Sequence, residues 1–138
     1  MTAKTERSSI QLKVLYGEGD ADVAASQAVS LQKAGHLVET ALGRKGVEAA
    51  LRKTPFDLVV LGPTLSKNDR HHLPYMVKKV NPAIRVLVMH TDGERHPSVD
   101  GNIDTGRSID DLVGKIAAMI AKGEITQSAT TRGAAAGK

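Results

Sequence analysis

Residues 47–65 read VEAALRKTPFDLVVLGPTL, and this stretch decides the fold. Its first half spaces apolar residues like one face of a helix. Thr54-Pro55 ends that helix, because proline disfavours helical backbone at the residue before it. Residues 58–61 are apolar at every position, which is typical of a strand covered on both faces of a parallel sheet. We therefore predict a helix and a central strand whose C-terminal end, at Gly62, is a natural ligand position.

The alternation of strand and helix continues on both sides of this stretch. Apolar runs of strand length occupy residues 12–16, 37–41 and 86–89, and Val99 with Ile103 indicates a short fifth strand. Segments of helical period lie between the runs, which is the signature of βαβ units and a parallel sheet. The pattern predicts a doubly wound α/β protein.

Capping residues predict where the helices begin and end. Asp20 has a side chain suited to an N-cap, and Gly35 can adopt the left-handed backbone conformation of a C-cap. Ser108 and Asp111 have the spacing of a capping box for the last helix. Because proline is tolerated mainly in a first helical turn, we predict a third helix over Pro74–Val80. The predicted inward-facing residues are Ala24, Ala28 and Leu31, then Val47, Ala50 and Leu51, then Leu73, Val77 and Val80, and finally Leu112, Ile116, Met119 and Ile120.

Length and composition predict one globular domain. The chain has 138 residues, of which 41% are hydrophobic and 25% charged. We expect a flexible segment at residues 1–9 and the folded domain at 10–122. The small, polar and alanine-rich composition of residues 123–138 predicts a disordered tail, since it cannot offset the entropy lost on ordering.

Charge and special residues limit the classes of function. Net charge is +4, but the 19 Lys and Arg residues are spread along the chain, and only 2% of residues are aromatic. We therefore expect no nucleic-acid partner. No apolar run approaches the roughly 20 residues that span a bilayer. Without cysteine there are no disulfides or thiolate metal sites, and residues 1–9 lack the apolar core of a secretory signal. We expect a cytoplasmic protein without membrane contact.

Two weak motifs have simpler explanations than ligand binding. Residues 17–22, GEGDAD, begin like a dinucleotide fingerprint, but an aspartate replaces the third glycine. The histidine pair at 71–72, with His90 and His96, lacks acidic or thiolate companions, so we expect no metal site.

Residues 31–36 and 47–61 closely resemble the first half of response-regulator receiver domains from two-component signalling. The resemblance extends more weakly through residues 81–89 and the last helix, and covers roughly residues 10–120. It implies a flavodoxin-like, three-layer α/β sandwich with a five-stranded parallel sheet in the order 2-1-3-4-5. Gly93, Pro97 and Gly101 interrupt residues 91–104, so we expect the helix between strands 4 and 5 to be shortened or lost.

Receiver domains take a phosphoryl group on a carboxylate after the third strand, with Mg²⁺ held by two acidic residues after the first. A hydroxyl after the fourth strand and a lysine after the fifth bind the phosphoryl oxygens. Carried over through the resemblance, the acceptor position falls on Gly62, which has no side chain, and the lysine position falls near Thr105. The acidic pair falls on Glu18 and Gly19, and the hydroxyl position on His90 or Thr91.

The resemblance therefore implies a degenerate pseudo-receiver. We expect no enzymatic activity, no Mg²⁺ or other cofactor, and a stand-alone module that binds an unidentified signalling protein without phosphorylation. The alternative is a sensor for a small ligand or anion. It would use a crevice at the strand ends lined by Gly17, Gly19, Gly62 and Thr64.

Overall fold

The computed structural model describes residues 11–89, 98–103 and 108–126. Five strands and four helices occupy these ranges. In chain order they are β1 (Lys13–Glu18), α1 (Ala21–Lys33), β2 (Leu37–Leu42), α2 (Gly43–Lys53), β3 (Leu58–Leu61), α3 (Lys67–Val80), β4 (Arg85–Met89), β5 (Gly101–Ile103) and α4 (Ile109–Ala121).

The five strands form one parallel sheet in the order β2-β1-β3-β4-β5, which confirms the predicted flavodoxin-like topology. β3 lies at the centre, as its apolar sequence predicted. Its residues alternate between two cores: Leu58 and Val60 face the layer of α1 and α4, whereas Val59 and Leu61 face the layer of α2 and α3. The sheet is therefore the middle of a three-layer sandwich.

The predicted caps of α1 and α4 are confirmed. The Asp20 carboxylate accepts hydrogen bonds from the backbone N–H groups of Asp22 (2.8 Å) and Val23 (3.1 Å). Gly35 has φ = 102°, the left-handed conformation that glycine adopts without strain. Ser108 and Asp111 cap α4 reciprocally. These local signals suffice because each depends on a few adjacent residues.

The predicted start of the third helix was wrong. α3 begins at Lys67, because the Ser66 hydroxyl accepts a hydrogen bond from the Asp69 N–H (3.1 Å) and caps the helix. Pro74 lies inside the helix and is buried, so its packing offsets the backbone hydrogen bond that proline cannot donate. Val80 was also misplaced, since it is 50% exposed.

The packed domain extends beyond the predicted boundary at residue 122. Ile125 is 2% exposed and joins the core that contains Leu112 and Ile116. The backbone N–H of Glu124 donates to the Met119 carbonyl (2.8 Å), which turns the chain back after α4. The predicted disorder of 123–138 is therefore wrong for residues 123–126. Residues 127–138, like the flexible segment predicted at 1–9, lie outside the described residues.

Between β4 and β5 the structure describes residues 98–100, which are not helical, in agreement with the predicted loss of a helix. Asp100 anchors the approach to β5. Its carboxylate accepts hydrogen bonds from the Val86 N–H (2.8 Å), Lys78 Nζ (2.7 Å) and Arg85 Nη1 (3.3 Å). Across the described ranges, no helix is long and apolar enough to cross a membrane.

Candidate functional site at the strand ends

Glu18 and Gly62 are neighbours at the C-terminal edge of the sheet. Gly17 of β1 pairs with Leu61 of β3, so the next step of this register sets Glu18 beside Gly62. The Gly62 N–H donates to the Gly17 carbonyl (2.8 Å) and continues the ladder. Because side chains alternate along a strand, position 62 shares the face of Glu18 and Tyr16.

The Glu18 side chain fills the space that a side chain at position 62 would occupy. Glu18 is fully buried, and Gly62 is buried as well. A Cβ atom added to Gly62 would overlap the carboxyl carbon of Glu18 and both of its oxygens. The space beside Gly62, to which the resemblance assigns the acceptor, thus holds a carboxylate from the neighbouring strand.

Hydrogen bonds from two residues satisfy this buried carboxylate. The Tyr16 hydroxyl donates to Glu18 Oε2. The Thr64 N–H (2.9 Å) and hydroxyl (2.6 Å) both donate to Oε1. Burial raises the pKa of Tyr16 well above its usual range, and the hydrogen bond to Glu18 raises it further. The Tyr16 hydroxyl therefore keeps its proton and stays a donor to Glu18.

The Thr64 hydroxyl also ties the loop after β3 to the start of α1. It accepts hydrogen bonds from the backbone N–H groups of Gly19 (2.8 Å) and Asp20 (3.0 Å). A Cβ atom at position 19 would overlap the Thr64 carbonyl, so glycine permits this close approach. We call Tyr16, Glu18 and Thr64 the Glu18 clasp, since together they join β1, the start of α1 and the loop after β3.

Protein atoms occupy the space directly beside each of the three glycines of the predicted crevice. Glu18 occupies the space at Gly62, the Thr64 backbone that at Gly19, and the Val47 side chain that at Gly17, where an added Cβ would lie 2.8 Å from Val47 Cγ2. Two cavities of about 170 and 400 Å³ are found beside the N-terminal ends of the strands. Neither is lined by the four predicted crevice residues.

The residues present do not fit the Mg²⁺ site of a receiver. Both Glu18 oxygens accept hydrogen bonds, and Gly19 and Gly62 offer no carboxylate. Asp20 uses Oδ1 to cap α1, as predicted. Hard divalent ions need several oxygen ligands, and within the described ranges no group of three or more acidic, histidine or cysteine residues could hold a metal ion.

Some predicted site residues lie outside the described part of the chain, and the acidic residue that precedes β3 lies at the other end of the sheet. His90, Thr91, His96 and Thr105 fall outside the described residues. Asp57 lies at the opposite end of the sheet, where its Oδ2 accepts from the Lys13 N–H (2.9 Å), so it does not replace the missing acceptor.

The sequence reasoning missed the roles of Tyr16 and Thr64, and it treated Glu18 as an isolated remnant. A signal was nevertheless present. A long acidic side chain at the end of β1 faces a residue without a side chain at the end of β3, and both positions share one face. This complementarity of size becomes visible once the strand order and register are known.

Solved structures with the same fold are response-regulator receiver domains. That of a Francisella response regulator has a TM-score of 0.69 at 17% identity, covering 81% of this chain and 98% of the other. A two-component response regulator from Clostridium difficile has a TM-score of 0.66 at 18% identity, with coverages of 79% and 95%. Response regulator TrrA from Thermotoga maritima, in complex with Mg²⁺-BeF, has a TM-score of 0.63 at 16% identity, with coverages of 75% and 95%.

These similarities show the receiver fold, also called CheY-like, over most of the chain. No protein-family model matches the sequence, and no curated protein matches it significantly. At such low identities the function of the chain has to be argued from its own site.

Proposed function

We propose that this chain is a pseudo-receiver, a signal-transduction module that keeps the receiver fold and binds a protein partner without being phosphorylated. The observation that carries the proposal is the Glu18 carboxylate in the space beside Gly62. The proposal includes a cytoplasmic location, no enzymatic activity and no bound Mg²⁺.

The chemistry of phosphotransfer supports this proposal. An acyl phosphate needs a carboxylate that can reach the donor, and a divalent ion to neutralise the developing charge. Glu18 is fully buried and satisfied by donors, so its oxygens are held away from a phosphoryl donor in solvent. A second negative group in this space would face the Glu18 charge at close range, which is strongly unfavourable in a buried site.

The Glu18 clasp also supports a fixed binding surface. The Thr64 hydroxyl joins the loop after β3 to the start of α1 through hydrogen bonds with the chain's own backbone. A partner that contacts this edge or an adjacent helix face would meet the same surface whatever the supply of phosphoryl donor. Partner binding should therefore be constitutive.

Addition of Mg²⁺ with beryllofluoride tests the proposal directly, because TrrA was solved with Mg²⁺-BeF. Amide NMR spectra of this chain should be the same with Mg²⁺ alone and with Mg²⁺ plus beryllofluoride, while TrrA as a control should shift. Saturable shifts at Gly17, Glu18 and Gly62 that require beryllofluoride would contradict the proposal.

The small-ligand sensor is less well supported, because protein atoms occupy the space directly beside the glycines of the predicted crevice. A thermal-shift screen with nucleotides and simple anions would revive it if one ligand raised the melting temperature in a saturable manner.

A further inference from the structure

We propose that the outer edge of β2 binds a second copy of this chain by antiparallel β2–β2 pairing, with Thr40 at the two-fold axis. The result would be a continuous ten-stranded sheet across the dimer. This inference concerns the backbone groups of β2 that point away from β1 and the Glu18 clasp, and it does not rest on the proposed function.

The backbone of β2 offers a regular set of outward-facing groups. The Leu37 N–H donates to the Leu12 carbonyl of the segment leading into β1 (2.9 Å), so residues 37, 39 and 41 direct their backbone groups toward β1. Because these directions alternate along a strand, Val38, Thr40 and Leu42 direct theirs outward. Within the described ranges, β2 pairs with β1 alone.

The side chains of β2 give little of the usual protection of a sheet edge, because Glu39 is the one charged residue of the strand. Residues 37–42 read LVETAL and contain no Lys, Arg, Pro or Gly. Leu37 and Leu42 are 45% and 48% exposed. Edge strands that avoid pairing generally carry a lysine, a proline or a bulge.

The alternating direction of the backbone groups and the charge of Glu39 together select a single register. Only an axis at Thr40 pairs all three outward-facing residues, Thr40 with its own copy and Val38 with Leu42 of the second copy. Two such residues facing each other form a hydrogen-bonded antiparallel pair. This register sets Glu39 opposite Ala41, whereas an axis at Glu39 would set two like charges face to face.

The same register gives complementary packing. Val38 and Leu42 lie on one face of β2, so the exposed Leu42 of each copy would cover Val38 of the other. Beyond the strand, Leu37 would lie opposite Gly43, which has no side chain to collide with it. In this register apolar residues cover each other, and the one charged residue of the edge, Glu39, faces the small Ala41 and no second charge.

Single-cysteine variants test both the dimer and its register, because the natural chain has no cysteine. In the Thr40→Cys dimer, the two Cα atoms would be about 5.5 Å apart, within the range that a disulfide spans. In Glu39→Cys the two cysteines would be diagonal, at about 7–8 Å. Ser26→Cys, on the exposed side of α1, reports random collision.

Under mild oxidation of the full chain, Thr40→Cys should form disulfide dimers about tenfold or more faster than Ser26→Cys, because pairing raises the effective thiol concentration. Glu39→Cys should form disulfide dimers at about the same rate as Ser26→Cys. Equal rates for all three variants would overturn the proposal, as would Glu39→Cys reacting faster than Thr40→Cys.

Sedimentation supplies an independent readout. The unmodified chain should show a concentration-dependent monomer–dimer equilibrium. Thr40→Pro should be a folded monomer, since proline is tolerated where the N–H of an edge strand faces outward. Val80→Lys, a change at another exposed apolar residue, should leave the dimer intact. A monomeric natural chain at every concentration, or a dimeric and folded Thr40→Pro variant, would overturn the proposal.

Discussion

The carboxylate of Glu18 occupies the volume into which a side chain at position 62 would project. The two residues are cross-strand neighbours on one face of the sheet, and their sizes are complementary. Because Gly62 has no side chain, it makes room for a buried acid. That acid in turn joins the loop after β3 to the start of α1 through Thr64.

Gly62→Ala should destabilise the protein. The new methyl group would displace the Glu18 carboxylate, and movement of that carboxylate would break its hydrogen bonds with Thr64. We expect the free energy of unfolding to fall by about 1–3 kcal/mol, as for other overpacked sites. Urea denaturation measures the change. Gly114→Ala is the matched control: its Cβ would meet nothing within 4 Å, and alanine should raise helix stability.

A double-mutant cycle with Glu18→Ala assigns the cost to this pair. In the Glu18→Ala background the space beside Gly62 is vacated, so the additional cost of Gly62→Ala should fall by more than half. Costs that simply add would mean that the two side chains do not compete for the same volume.

Thr64→Val should weaken the Glu18 clasp. The variant loses the hydroxyl that donates to Glu18 and accepts from Gly19 and Asp20. We expect a loss of about 1–2 kcal/mol in unfolding free energy, together with faster amide hydrogen exchange at Gly19 and Asp20. Thr64→Ser keeps the hydroxyl and should stay within about 0.5 kcal/mol of the natural protein. Equal losses in both variants would rule out the hydroxyl as the source of the effect.

His36 should make the protein less stable in mild acid. Its Nδ1 accepts a hydrogen bond from the Leu12 N–H (3.1 Å), and burial lowers the pKa of His36 from its ordinary value. As pH falls, the unfolded chain therefore binds a proton at His36 near pH 6.5, whereas the folded protein binds it at a lower pH. The contribution of neutral His36 to the free energy of unfolding is fully present above about pH 6.5. As pH falls toward the folded pKa, the free energy of unfolding should drop by up to about 1.4 kcal/mol per unit.

Denaturation at a series of pH values from about 7.5 to about 5, a range that includes the ordinary pKa of histidine, measures this dependence. His36→Asn retains an acceptor for the Leu12 N–H but does not titrate, so its pH dependence should be flatter than that of the natural protein. His71→Asn, on the exposed side of α3, is the control for replacing a histidine by asparagine elsewhere in the chain. If the unfolding free energies of the natural protein and of His36→Asn changed with pH in parallel, His36 would not be the cause of the pH dependence.

Asp100→Ala should destabilise the segment that leads into β5. The carboxylate serves three donors, on Val86, Lys78 and Arg85, and its loss leaves the Val86 N–H without this acceptor. We expect a loss of about 1–3 kcal/mol and faster hydrogen exchange in β5. Asp110→Ala, which removes an exposed acid from the first turn of α4, should cost less than about 1 kcal/mol. Similar effects on β5 in both variants would count against this role of Asp100.

Local patterns in the sequence were sufficient for most of the fold. The uninterrupted apolar residues 58–61 predicted β3 with its observed bounds, and Asp20, Gly35 and Ser108 predicted the helix ends. The start of α3 was missed because Pro74 was given more weight than Ser66. Pro74 is buried inside the helix, and the local sequence does not reveal this burial.

The candidate site was harder to predict because its contacts join distant residues. Gly62 was singled out from the sequence, but the position of Glu18 depends on the β1–β3 register and on Thr64, 46 residues further along the chain. Ile125 was missed for a similar reason. One apolar residue in a polar tail indicates nothing until the core that receives it has formed.

The central claim is that the strand-end site does not accept a phosphoryl group, and intact-mass measurement after incubation with acetyl phosphate and Mg²⁺ tests it most directly. A receiver domain with aspartate at the acceptor position serves as the positive control. We expect an unchanged mass for the natural chain while the control gains one phosphoryl group. A stoichiometric gain of one phosphoryl group by this chain, abolished by Glu18→Gln, would contradict it.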